Sequence, residues 1–225
     1  MQYPDEVIRY YAARADVYDE TAGYLDGEAE ALREPVKARY RELFRDKNVL
    51  EIACGSGYWT RVLGETADFV LAVDINEDIM KHAVLRCRDL PNVRFQLADA
   101  FTLEGVPFGF DAAVAIWWYS HMPRRRIPEF LAALVTTLQP GATVMFVDQL
   151  PYEGCERSVD DNGDTVETRT LPDGRTFSVI KNFPSEAELR WVLAGFGTDI
   201  CYLARPEEGN WEVVWRVKKS REGER

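Results

Sequence analysis

Glu51-Ile52-Ala53-Cys54-Gly55-Ser56-Gly57, followed one helix-length later by Ala72-Val73-Asp74, leaves few folds open to this chain. Residues 47–53 read as a short apolar strand, Gly55 and Gly57 as a tight turn without side chains, and Tyr58 onward has helical spacing. In a strand, glycine turn and helix of this kind a nucleotide-like ligand approaches bare backbone. Asp74 ends the next apolar run, where a carboxylate can accept both hydroxyl hydrogens of a ribose.

The dinucleotide fingerprint is only half met, because Thr60 stands where a third glycine would bring helix and sheet close. No Gly-x-x-x-x-Gly-Lys phosphate loop is present. Glu51, two residues before Ala53, would repel phosphates and attract an ammonium. A cofactor with an adenosine, an amino-acid end and no phosphate meets those terms, and S-adenosyl-L-methionine has all three features. Residues 49–60 resemble the first motif of the class I S-adenosylmethionine-dependent methyltransferases, Glu/Asp-x-Gly-x-Gly-x-Gly, with Ala53 in place of the first glycine. The resemblance runs from Tyr10 to Lys218 and is weakest between Pro151 and Phe183.

Strand and helix patterns alternate through the first two-thirds, which predicts a mostly parallel sheet with helices on both faces. Strands are expected at 48–53, 69–73, 93–98, 112–116 and 143–147. Ile79, Met80, Ala83, Val84 and Cys87 form one helical stripe, and Ile127, Phe130, Leu131, Leu134, Val135 and Leu138 a stronger one that Pro140-Gly141 should stop. Ser185 to Glu188 reads as a capping box, followed by strands at 199–204 and 211–217 whose short link makes them antiparallel. The resemblance implies the same ending: seven strands, the last one reversed, a Rossmann-like fold. Asn162-Gly163 and Asp173-Gly174 predict a small antiparallel meander inserted after the fifth strand. The expected organisation is one domain: a helical lid (1–45), a cofactor-binding core (46–149), a β insertion (150–183), and a C-terminal helix and hairpin (184–218). The tail at 220–225 is expected to fray.

Asp99-Ala100-Phe101 follows the third strand, where the resemblance places an acid on the adenine amino group and the next backbone N–H on a ring nitrogen. Ile75 should pack on the adenine face. Glu51, Ala53, Gly55, Gly57, Trp59, Thr60 and Ile116 complete the expected cofactor wall. Tyr10-Tyr11-x-x-Arg14-x-x-x-Tyr18-Asp19 resembles an N-terminal lid helix, which implies a tyrosine closing over the methionine end of the cofactor; Tyr11 and Tyr18, seven apart, are expected to share one helix face for this, and Arg14 could meet the cofactor carboxylate.

Strand carboxyl ends face the ligand crevice in open α/β sheets, so Trp117, Trp118, Tyr119, Ser120 and His121 are the expected floor of the reaction site. His121 is the candidate general base. Tyr119, Asp148, Gln149 and Tyr152 are expected to act on or orient the acceptor. Four cysteines lack metal-ligand spacing, residues 1–9 lack a signal-peptide core, and no apolar run is long enough for a bilayer, which predicts a reduced, cytoplasmic protein without a metal.

A net charge of −11, with Arg124-Arg125-Arg126 as the one dense basic run and expected to be mostly solvated, weighs against nucleic acid. The function expected is methyl transfer to nitrogen or oxygen of a small molecule, leaving S-adenosyl-L-homocysteine, by a monomer or homodimer. Carbon methylation of a phenol or quinone, a protein or tRNA substrate, and a non-catalytic S-adenosylmethionine-binding subunit are the alternatives.

Overall fold

The computed structural model describes residues 3–218; the expectation for the tail at 220–225 lies outside them. Seven strands form one sheet: β1 (Asn48–Ile52), β2 (Phe69–Asp74), β3 (Val93–Leu97), β4 (Phe110–Ile116), β5 (Leu138–Gln149), β9 (Gly197–Arg205) and β10 (Asn210–Val217). Their order is β3-β2-β1-β4-β5-β10-β9. The first five pair in parallel, and β10 runs antiparallel to both β5 and β9. The last strand is therefore reversed and slotted between β5 and β9.

Side-chain alternation splits the core into two layers. Leu50, Ile52, Leu71, Val73, Ala113, Ala115, Val144 and Phe146 point to one face, covered by α6 (Ile127–Thr137) and α7 (Glu186–Leu193). Val49, Val70, Ala72, Ala112, Val114, Met145 and Val147 point to the other, covered by α3 (Gly27–Leu43), α4 (Tyr58–Gly64) and α5 (Glu77–Arg86). The predicted stripe of α5 buries Ile79, Met80, Ala83 and Cys87, but Val84 is exposed. Ser185 and Glu188 make the capping box at α7. Helix α6 ends at Thr137, before Pro140-Gly141, which lies inside β5 where Gly141 takes φ +83°.

A separate three-stranded antiparallel sheet holds β6 (Arg157–Val159), β7 (Thr165–Thr170) and β8 (Thr176–Ile180). Both of its expected turns are present, with Gly163 and Gly174 at φ +79° and +86°. The N-terminal helix α1 (Tyr3–Arg14) packs on this sheet through Val7, Tyr10, Leu171 and Val179. A 3₁₀ turn (Ala15–Val17) and the short α2 (Tyr18–Thr21) then carry the chain across the carboxyl edge of the main sheet toward the glycine turn, so Tyr11 and Tyr18 stand on separate elements and not on one helix face, their rings 6.0 Å apart. Among the described residues no helix is long and apolar enough to cross a membrane.

Candidate active site

Strands β1, β2 and β4 end at one crevice, and their ends are tightly specified. Ala53 turns at φ +54°, in the position the motif usually gives to glycine, and Trp117 at φ +63°. Such torsions are disfavoured for residues with a Cβ and persist only where the surroundings impose them. Gly55, at φ +56°, brings its backbone to the crevice, with the Tyr18 ring 4.0 Å from where a Cβ would lie. Gly57 does something else: a Cβ there would sit 2.7 Å from Ala83 Cα, so this glycine lets α4 and α5 approach each other. It does not line the crevice. The close approach of α4 to the sheet comes instead from Gly64, where a Cβ would lie 2.7 Å from Val93 at the start of β3.

The crevice encloses a cavity of about 310 Å³. Asp74, Ile75, Asp99, Ala100 and Phe101 line one part; Ala53, Gly55, Ile116, Trp117 and Tyr18 another; and Val7, Ile8, Tyr11, Trp118 and His121 complete the wall. The Asp74 carboxylate is buried, with Oδ2 accepting from Gly55 N and Oδ1 from Asn76 N, both at 2.9 Å. Burial raises this carboxyl, and those two N–H groups oppose the rise. Each oxygen keeps a lone pair for a ligand hydroxyl. Asp99 accepts from Phe101 N at 2.8 Å, so the acid folds its own loop at the position where it lines the wall.

A smaller cavity adjoins the first through Tyr18, Ala53, Gly55, Ile116 and Trp117, and Glu51 and Trp59 line it. Glu51 is buried with Oε2 unpartnered, and burial pushes its carboxyl up to about 8. Thr60 is fully buried in α4 and lines neither cavity.

His121 is held on both ring nitrogens. Nδ1 lies 2.7 Å from the Ile180 carbonyl, which can only accept, so Nδ1 carries the proton. Nε2, 2.9 Å from the Tyr11 hydroxyl, is then the acceptor. Burial, and secondly the Lys181 ammonium, lower this imidazole to about 3, well below the near-neutral base expected from sequence. Burial likewise raises the Tyr11 phenol well above its ordinary range.

Several expected residues stand elsewhere. Tyr119 is core, packed on Phe146 and Trp211 at ring separations of 5.6 Å. Asp148 is fully buried behind the site, accepting from Ser120 N at 2.8 Å and from Lys181 at 3.0 Å. Burial alone would raise its carboxyl, but Lys181 and His121 hold it below its ordinary value. Gln149 extends β5 opposite Asn210, away from the cavity. Tyr152 donates to Glu167 and accepts from Arg169 inside the insertion. Arg14 lies over the Tyr18 ring and donates to Thr21 Oγ1 at 2.7 Å, and it does not line the cavity.

Sequence reasoning missed Asn76, whose place two residues after Asp74 and before an acidic helix start is an N-cap signal. It also misread Arg126, whose guanidinium stacks 3.6 Å from the Phe101 ring centre and lines the cavity. Nothing in the triple-arginine run marks that residue out. Lys181 carried no signal, since its partners Ser120 and Asp148 are distant in the chain.

A methyltransferase-domain family model matches residues 49–141. The structure of DhpI in complex with SAH is 32% identical, with a TM-score of 0.74 over 96% of this chain and 97% of that one. Phosphoethanolamine N-methyltransferase 1 of Caenorhabditis elegans is 30% identical over 89 residues, 40% of this chain and 19% of that protein. Protein-L-isoaspartate O-methyltransferase 1 of Nitrosospira multiformis is 30% identical over 132 residues, 56% of this chain and 52% of that protein. The chain thus spans about half or less of these two curated relatives but nearly all of DhpI. Matched from end to end by a protein that carries SAH on the same fold, this chain belongs to the class I S-adenosylmethionine-dependent methyltransferases.

Proposed function

We propose that this chain transfers a methyl group from S-adenosyl-L-methionine to an oxygen, or to an uncharged nitrogen, of a small molecule. The carrying observation is the Tyr11 hydroxyl bonded to His121 Nε2 on the wall of the cavity that Asp74 and Asp99 also line. The cofactor's parts fit this chain's residues. The buried Glu51 carboxyl, one oxygen without a partner, suits an ammonium, Asp74 suits the ribose hydroxyls, and the Asp99–Phe101 loop suits the adenine edge. When bound, the cofactor supplies an electrophilic methyl on a sulfonium.

The residues of the chain supply position and a path for one proton. The indoles of Trp117 and Trp118 give the acceptor flat apolar walls. Helix α1 closes over them with Val7 and Ile8, which excludes water. The Tyr11 oxygen can accept the acceptor's proton while its own hydrogen passes to His121 Nε2. With the imidazole lowered to about 3, it cannot ionise the acceptor in advance. It can take a proton that becomes very acidic as the new bond forms, as on an alkylated hydroxyl. This weak base favours oxygen. None of Val7, Ile8, Tyr11, Trp118 and His121 is a carboxylate that would hold an ammonium acceptor.

Calorimetric titration with S-adenosylhomocysteine, with NAD as control, tests the cofactor, and methyl uptake by a panel of small alcohols, phenols, acids and amines tests the acceptor. Tyr11→Phe should lower turnover about hundredfold, within the range of positioned acid–base groups, and shift cofactor affinity only a few-fold. Equal turnover in the variant would remove the relay.

A further inference from the structure

The N-terminal segment crosses the cavity as a strap, and its two ends are fastened by different chemistry. At the α1 end the fastening is apolar: Val7 and Tyr10 pack with Leu171 and Val179, and the Tyr10 and Phe177 rings lie 5.6 Å apart. Beside them the Ser178 N–H donates to the Glu6 carboxylate at 2.9 Å. At the α2 end the fastening is polar and centres on Asp19. Its Oδ1 accepts from Ser56 Oγ, in the glycine turn, at 2.6 Å. The Arg86 guanidinium on α5 pairs with the same carboxylate and also donates to the Ser56 carbonyl at 3.2 Å. Asp19 and Arg86 are each 22% exposed, so water can reach the pair when it parts. Tyr18, the neighbour of Asp19, is the residue laid against Gly55.

We infer that Asp19, with Ser56 and Arg86, is the latch that sets cofactor residence, opening the α2 end of the strap while the α1 end stays on the insertion. The inference rests on the cofactor reading above. Apolar packing is lost only by exposing buried surface, whereas a partly exposed ion pair can trade its partner for water. The weaker fastening lies beside Gly55 and Tyr18, and the stronger one beside Tyr11 and His121. Cofactor exchange is therefore separable from assembly of the acceptor side, and Asp19 is a positioning residue that acts through Tyr18 and the glycine turn.

The test is the release rate of S-adenosylhomocysteine, followed by stopped-flow tryptophan fluorescence, for wild type, Asp19→Asn, Arg86→Gln and, as control, Glu65→Gln. The control breaks an ion pair with Arg41, whose side chain is likewise 22% exposed, away from the strap. Release should quicken about tenfold in the first two variants and stay unchanged in the control. In steady state the KM for cofactor should rise while the KM for the acceptor does not move. Wild-type binding with unchanged release in both Asp19→Asn and Arg86→Gln overturns the latch alone. Failure of the wild type to bind S-adenosylhomocysteine overturns the cofactor reading and the latch with it.

Discussion

Glu51 shows how one side chain can carry two opposed demands. Its strand register turns it toward α4, where it is buried beside Thr60 and Trp59 with one oxygen unpartnered. An isolated carboxylate there resists ionisation, hence the rise to about 8. An ammonium placed against it reverses the balance and favours the charged form. Below about pH 8 the free protein therefore holds a proton on Glu51 that ligand binding expels. Titrating S-adenosylhomocysteine at pH 7 in buffers of different ionisation enthalpy should reveal release of up to one proton. Glu51→Gln should abolish the release and weaken binding. A buffer-independent heat in the wild type would place the ammonium elsewhere. Ala53 belongs to the same economy of local exceptions, since a non-glycine residue at φ +54° is retained where strand, turn and cavity meet.

Elements, more than individual residues, decide how the acceptor side is assembled. Helix α1 contributes Val7, Ile8 and Tyr11 to the cavity but is seated on β8, from a different part of the chain. The insertion lines neither cavity itself. It carries α1 on one face and reaches His121 from behind through the Ile180 carbonyl. Val179→Ala tests this division. Val179 is fully buried, and trimming it should cost roughly 1–3 kcal/mol while altering no residue that lines the cavity. Amides of α1 should exchange faster, and turnover should fall more than cofactor affinity. Unaltered exchange along α1 would show that the helix holds its place without the insertion.

Across the whole molecule, one buried ion pair ties the insertion to the main sheet. Lys181, just beyond β8, donates to Asp148 at 3.0 Å and to Ser120 Oγ at 2.7 Å, all three nearly inaccessible. Removing one partner of a buried pair leaves an uncompensated charge and costs about 3–5 kcal/mol. Lys181→Met should lower stability to urea by that order. It should also raise the His121 pKa, because the second-largest influence depressing it would be gone. If unfolding is unchanged, Asp148 must be satisfied by other groups.

Much of this architecture could be read along the chain, because its signals are local. Period-two burial, the glycine turn, the capping box at Ser185 and the two Xaa-Gly hairpins each depend on neighbours a few residues apart. Asp74 and Asp99 could be found because each closes a strand at the edge where ligands sit. Tyr119, Asp148 and Tyr152 shared those outward signs, yet packing turned them inward, onto Phe146 and Trp211, Lys181, and Glu167. Arg126 on Phe101, Tyr11 on His121 and Asp19 on Ser56 join residues 25 to 110 positions apart. Local propensity assigns each of these side chains to an element and a face. Which atom it meets depends on how separate elements pack, and that is set by summed burial across the molecule, which no short window of sequence contains.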